Sequence, residues 1–134
     1  MASNLSSLTI KDEHLRRALE GRENLLVDGA MGTQMQERGL DALEAVPELL
    51  CKTHAADITA IHASYIAAGA EVITTNTFSA NRIKLGDKMS VVEAYRLATD
   101  CARAAGAPYI AGDIGPTGSL LEPMGTLSFD EAYG

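Results

Sequence analysis

Three short apolar runs recur along this chain, each closed by a small polar turn and separated from the next by a segment with helical spacing. Leu25-Leu26-Val27 ends at Asp28-Gly29, and Glu71-Val72-Ile73-Thr74-Thr75 ends at Asn76-Thr77-Phe78-Ser79. Pro108-Tyr109-Ile110-Ala111-Gly112 runs into Asp113-Ile114-Gly115-Pro116-Thr117-Gly118. Runs of this length between turn residues read as buried strands. Between them, Ile58, Ile61, Tyr65 and Ala68 predict a helix over residues 53–68 that Gly69 stops. Val91, Ala94, Tyr95, Ala98 and Ala102 predict another over residues 90–105, ended by Gly106. A helix between two strands, joined by short loops, must return the chain to the same edge of the sheet. That requires parallel strands with right-handed crossovers, so the class is α/β.

The remaining segments are less regular. Leu15, Ala18 and Leu19 mark an amphipathic lead-in helix within residues 12–23, so that residues 1–24 form a tail and lead-in helix and residues 25–134 the body of the fold. Residues 32–38 suit a short helix stopped by Gly39, and residues 40–50, with Pro47, read as a mixed connection. Near the end, Ser128 and Glu131 have the spacing of a capping box, announcing one more helix.

Composition excludes several function classes. The chain has 134 residues, 46% of them apolar, which suits one globular domain. Its 11 basic and 18 acidic residues give a net charge of -7, which repels phosphate backbones and anionic lipid, so neither nucleic acid nor membrane is expected as a partner. Residues 1–9 are Ser-rich and polar without a signal-peptide pattern, and no run approaches the ~18 apolar residues of a membrane span, so a cytoplasmic location is expected. Cys51 and Cys101 each fall in a helical pattern and read as buried free thiols, not as a disulfide.

Parallel α/β folds bind ligands where the C-terminal ends of their strands converge, which makes the three turns the candidate site. A carboxylate at the end of an apolar strand, as at Asp28, needs a cation, a row of amides or a capping role. The residue pattern leaves ammonium binding and turn capping both open, and for Asp113 it favours the turn role. Cys51-x-x-His54 with His62 is a poor zinc set, since ligands eight apart on a helix are offset by ~80° and no second cysteine lies near. Gly112-x-x-Gly115-x-x-Gly118 follows a strand but lacks the spacing of dinucleotide and P-loop sites, and Pro116 removes an amide.

Taken together, Val27-Asp28-Gly29-Ala30-Met31-Gly32-Thr33, Ile73-Thr74-Thr75-Asn76-Thr77-Phe78 and Gly112-Asp113-Ile114-Gly115-Pro116-Thr117-Gly118 resemble the first three strand-end motifs of the homocysteine S-methyltransferase family. The resemblance extends from Leu25 to Tyr133, includes His62 to Ala70, and is strongest to the homocysteine-binding module of the cobalamin-dependent methionine synthase branch. It implies a (β/α)8 TIM barrel, of which this chain covers about the first three βα units, and methyl transfer to the homocysteine thiolate. It implies substrate binding by Asp28 to the ammonium, by Gly29 and Ala30 through amides near the carboxylate, and by Asn76, Thr77 and Phe78 around the pocket.

The family's zinc is held by three cysteines in Gly-x-Asn-Cys and Gly-Gly-Cys-Cys runs, which this sequence lacks, so zinc ligands are expected beyond Gly134 and no catalytic or metal residue within the chain. The implied methyl source is methylcobalamin or another donor, supplied with a corrinoid or donor module. Three strands cannot close a barrel of ~250 residues, so the edges are expected to self-associate or to pair with the rest of the barrel, and the chain alone to be inactive. Two other readings stay open: a non-catalytic α/β module assembling through its sheet edges, and a phosphate-binding protein using residues 112–118.

Overall fold

The computed structural model describes residues 9–133. Helices α1 (Glu13–Leu19) and α2 (Met31–Glu37) precede a 3-10 turn at Pro47–Leu49, which passes directly into α3 (Leu50–Thr53) and then α4 (Ala55–Ala67). Strand β1 (Val72–Thr74), α5 (Arg82–Leu85), α6 (Val91–Ala104), β2 (Tyr109–Ala111) and α7 (Phe129–Tyr133) complete the order.

β1 and β2 are parallel, with Ile73 opposite Ile110. The pairing extends one bond past each end of the ladder, through Tyr109 N–H to Glu71 O at 3.0 Å and Thr75 N–H to Ala111 O at 2.9 Å. The first predicted strand takes the other side of β1 but forms a single parallel bridge, Val27 to Val72. Its bonds run from Val72 N–H to Leu26 O and from Asp28 N–H to Val72 O. With no described strand on its outer side and Leu26 and Val27 55% and 54% exposed, this edge has little apolar burial to lengthen it.

Helices α4 and α6 pack on each other and on one face of the sheet. The strand period of two turns Ile73 into that layer, fully buried against Ala70 and Ala102, while Val72 and Thr74 face the other way and are half-buried. Leu50, Cys51, Ile58, Ile61, Ala98 and Cys101 form the neighbouring part of the core. Both cysteines are free and buried, as predicted.

Three details differ from the sequence expectations. The helix predicted over residues 53–68 is broken at His54, whose φ of -134° and ψ of 42° interrupt the turn. Its upstream piece starts earlier, at Leu50, because Leu50 and Cys51 are drawn into the core. The short helix α5, capped by Asn81 accepting from Lys84 N–H at 3.0 Å, was not foreseen, since four residues carry no periodicity to read. The capping box forms: Ser128 Oγ accepts from Glu131 N–H at 3.2 Å, and the Glu131 carboxylate accepts from Ser128 N–H at 3.1 Å. Among the described residues no helix is long and apolar enough to cross a membrane.

Candidate functional site at the strand C-termini

The three predicted turns meet where the sheet pairing ends. Asp28 leaves the first edge segment with its carboxylate turned toward β1. There Oδ2 accepts from Thr74 N–H at 2.9 Å and Oδ1 from Thr74 Oγ1–H at 2.8 Å. Neither role left open by the sequence explains these bonds. The carboxylate ties the edge segment to β1, and α2 starts after Ala30 with no side-chain cap. Two charge-assisted bonds to one residue fix the rotamer of Asp28 and leave its outer lone pairs for a further donor.

Gly29 has a structural reason to lack a side chain. A Cβ there would stand 3.0 Å from the Tyr65 ring and hydroxyl, and Tyr65 O–H donates to Ala30 O at 3.1 Å. Tyr65, read from its spacing as a helix-face residue, thus reaches out of α4 and holds the loop at Gly29-Ala30 from beneath.

At the end of β1 the residues divide their tasks. Asn76 is buried, and its Nδ2–H donates to Pro47 O at 2.9 Å. Thr77 is also buried, with Oγ1 2.8 Å from Thr75 Oγ1. Its hydroxyl donates to Asp113 O at 2.8 Å and accepts from Asp113 N–H at 3.2 Å. Thr77 therefore laces the ends of β1 and β2 together and is not among the residues lining the cavity described below. Tyr95 O–H from α6 donates to the same Asp113 carbonyl at 2.8 Å, which sets Asp113 as a junction of backbone bonds. Phe78, 54% exposed, leans over the site, with Lys84 Nζ 5.6 Å from its ring centre.

Two confluent hollows result. One of about 210 Å³ is lined by Asp28, Gly29, Ala30, Met31, Thr74, Thr75, Asn76, Phe78 and Asp113. The other, about 330 Å³, shares Ala30, Met31, Asn76, Phe78 and Asp113 and is bounded further by Gly32, Met35, Pro47, Glu48 and Ser79. Of the six predicted binding residues, Asp28, Gly29, Ala30, Asn76 and Phe78 come together here. Sequence reasoning missed Tyr65, Tyr95 and Glu48, whose positions in helices or irregular chain give no hint of reaching a strand end.

His62 lies behind this layer on α4, fully buried, with neither ring nitrogen bonded among the described residues. Burial holds its imidazole below the usual histidine range, and the Asp28 carboxylate pulls the other way. The Gly112 to Gly118 segment is not an open cradle, since a Cβ on Gly115 would drive into the Phe78 carbonyl. That glycine lets two strand-end loops touch.

A zinc ion has no fitting ligand set here. His54 Nδ1 pairs with Thr53 Oγ1 at 2.9 Å, and Cys51 Sγ accepts from Asn76 Nδ2 at 3.7 Å. No group of three or more His, Cys, Asp or Glu side chains among the described residues could hold a metal.

Comparisons with known proteins bear on the family and the fold. The family described as homocysteine S-methyltransferase matches residues 25–134. A methionine synthase of Mycobacterium leprae is 34% identical over 118 residues, covering 76% of this chain and 10% of its own length. A methionine synthase of Mycobacterium tuberculosis is 30% identical over 142 residues, covering 91% of this chain and 12% of its own. In fold, the oxidised form of the homocysteine methyltransferase MmuM from Escherichia coli superposes with a TM-score of 0.65 at 24% identity, over 80% of this chain and 42% of that one. The chain thus spans a small part of the curated relatives and under half of that solved neighbour. With a family match over most of its length and a small parallel α/β sheet of the expected kind, the chain belongs to the homocysteine S-methyltransferase family.

Proposed function

We propose that this chain is the homocysteine-binding part of a methyltransferase domain of the methionine synthase type, in which the homocysteine sulfur takes a methyl group and loses its thiol proton. The observation that carries the reading is the hollow of about 210 Å³ at the strand C-termini, with the Asp28 carboxylate on one wall and Phe78 on another. In it Asp28, held by Thr74, receives the substrate ammonium on its outer lone pairs. Gly29 and Ala30 bring backbone amides toward the substrate carboxylate, and Tyr65 keeps them there. Asn76 and Thr77 hold the loop in register, and Phe78 closes the apolar side against water.

Zinc chemistry, which in this family makes the thiolate available near neutral pH, does not fit the residues of this chain. We assign its ligands to parts of a complete (β/α)8 barrel outside these 134 residues, and methylcobalamin or another methyl donor to the complete protein. The exposed edge at Leu26 and Val27 then pairs with the remaining strands. The purified 134-residue chain is expected to show no turnover, and measurable methionine formation by it alone would overturn this assignment.

In the complete domain, Asp28→Asn keeps the shape of the carboxylate and removes its charge. Homocysteine affinity should fall by about 1.5 to 3 kcal/mol, the worth of a charge-assisted bond, with metal content unchanged. Titration calorimetry beside metal analysis reads both quantities. Equal homocysteine affinities in the two proteins would refute the ammonium role.

A further inference from the structure

Glu48 is 1% exposed. Its Oε1 accepts from Ser79 N–H at 2.5 Å, but Oε2 has no donor among the described residues. A neutral side chain could receive the Ser79 amide equally well, whereas a carboxylate kept from water with one oxygen unmatched is destabilising. A charge placed there against that penalty points to a partner that arrives with a ligand.

The surroundings say what kind of partner. Glu48 lines the hollow of about 330 Å³, whose other walls include Met31, Met35, Pro47 and Phe78. Apolar walls with one carboxylate suit a small organic cation, which is held by dispersion on its body and by charge at one point. No lysine or arginine lines the hollow to compete. Lys84, nearby, is engaged outside it, with Nζ 3.4 Å from Ser79 Oγ and over the Phe78 ring. The hollow is continuous with the proposed homocysteine seat through Asn76, Phe78 and Asp113.

We infer that Glu48 Oε2 is the acceptor for a cationic group of a small molecule seated in this second hollow. The inference rests on the proposed methyltransferase site, where two reactants can carry such a charge: the amino-acid substrate on its ammonium, and a methyl donor on the atom that bears the methyl. Glu48 is then a specificity-determining residue with a second task, since its other oxygen holds the Ser79 amide in place.

The test uses the complete domain and Glu48→Gln, which keeps a carbonyl for Ser79 N–H and removes the charge. Homocysteine, 4-mercaptobutanoate and tetramethylammonium are titrated separately; the second lacks the ammonium and the third is a bare organic cation. A loss of at least about tenfold in homocysteine affinity, with 4-mercaptobutanoate unaffected, supports the inference with the substrate ammonium as source. Unchanged homocysteine with tetramethylammonium binding lost supports it with the donor side as source. If all three bind the variant as they bind the parent, Glu48 only buttresses Ser79 and the inference is overturned.

Should Glu48→Gln fail to fold, the carboxyl carbon resonance of Glu48 in the parent protein replaces it. A shift on adding homocysteine or tetramethylammonium supports the inference, and an unmoved resonance with both overturns it. Failure of the homocysteine reading itself shows separately, as Asp28→Asn leaving homocysteine affinity intact. The tetramethylammonium titration still reads Glu48 in that case.

Discussion

The two ends of this small sheet are built from opposite materials. At the C-terminal end, Thr75, Asn76 and Thr77 are buried, and their polar atoms are matched across strands to Asp113, Pro47 and each other. At the N-terminal end, His14 of α1 reaches Glu23 at 2.6 Å and Glu71 at 3.0 Å, and Tyr109 O–H donates to Asp12 at 2.7 Å, all at half-exposed or exposed positions. Water can replace a partner lost from the second network but not from the first. The same kind of contact therefore carries different weight: an unsatisfied buried group costs about 1–3 kcal/mol, whereas an exposed ion pair is screened by water and salt and contributes little. Precision is concentrated at the proposed ligand site, and adjustable charge where the lead-in helix docks.

The harshest way to break this comparison is at the contact between strand-end loops. Gly115→Ala sets a methyl group against the Phe78 carbonyl, where backbone must move to make room. Overpacking of this kind should destabilise by about 3 kcal/mol, with loss of the hollow beneath Phe78, readable by urea unfolding and by ligand titration. A variant as stable as the parent would mean that this end is soft, and the contrast with the other end would fail.

Thr77→Val is next in size. It keeps the side chain's shape and removes the hydroxyl that serves Asp113 N–H, Asp113 O and Thr75. Asp113 keeps Tyr95 O–H on its carbonyl and Thr75 Oγ1 at 3.3 Å from its N–H, so the loss of the Thr77 bonds should reduce stability by about 1 kcal/mol. Because Thr77 does not line the hollow, homocysteine affinity in the complete domain should change less than with Asp28→Asn. The reverse order would make Thr77 a contact residue and Asp28 a structural one.

How far the sequence carried these conclusions depends on the reach of each interaction. Asp28, Gly29 and Asn76 were legible because a strand that must stop shows it locally, in turn residues after an apolar run. The bonds that give them their work were not, since Asp28 meets Thr74 across 46 residues and Thr77 meets Asp113 across 36. Only the register of β1 against its neighbours makes those pairs. Glu48 was hidden for another reason. It sits in a 3-10 turn inside an irregular connection, and no periodicity marks a charged residue there as buried. The first strand was visible as an apolar run, yet forms one bridge, because strand length is set by the neighbours available to pair with it.

The smallest expected effect lies at the other end and has a sign that can be worked out. Hydrogen bonds to Glu23 and then to Glu71 hold the His14 imidazole above its ordinary value of 6.5, against partial desolvation. A group whose pKa is raised on folding binds its proton more tightly in the folded chain. Its contribution is fully present below pH 6.5 and is lost as pH rises through the raised folded value. Glu71 is lowered by the Leu26 amide and by His14, so its charge persists through the mildly acidic range and the pair stays intact there. The melting temperature of the parent should therefore exceed that of His14→Gln by a small margin near pH 5.5, and the two curves should meet at alkaline pH. Added salt should shrink the margin, since the charges are half-exposed. A difference that is constant with pH would mean that His14 acts by packing against Tyr109, whose ring centre is 6.3 Å away, and not by charge. The N-terminal end would then be held by packing and not by charge, and the division between the two ends would have to be redrawn around which residues face water.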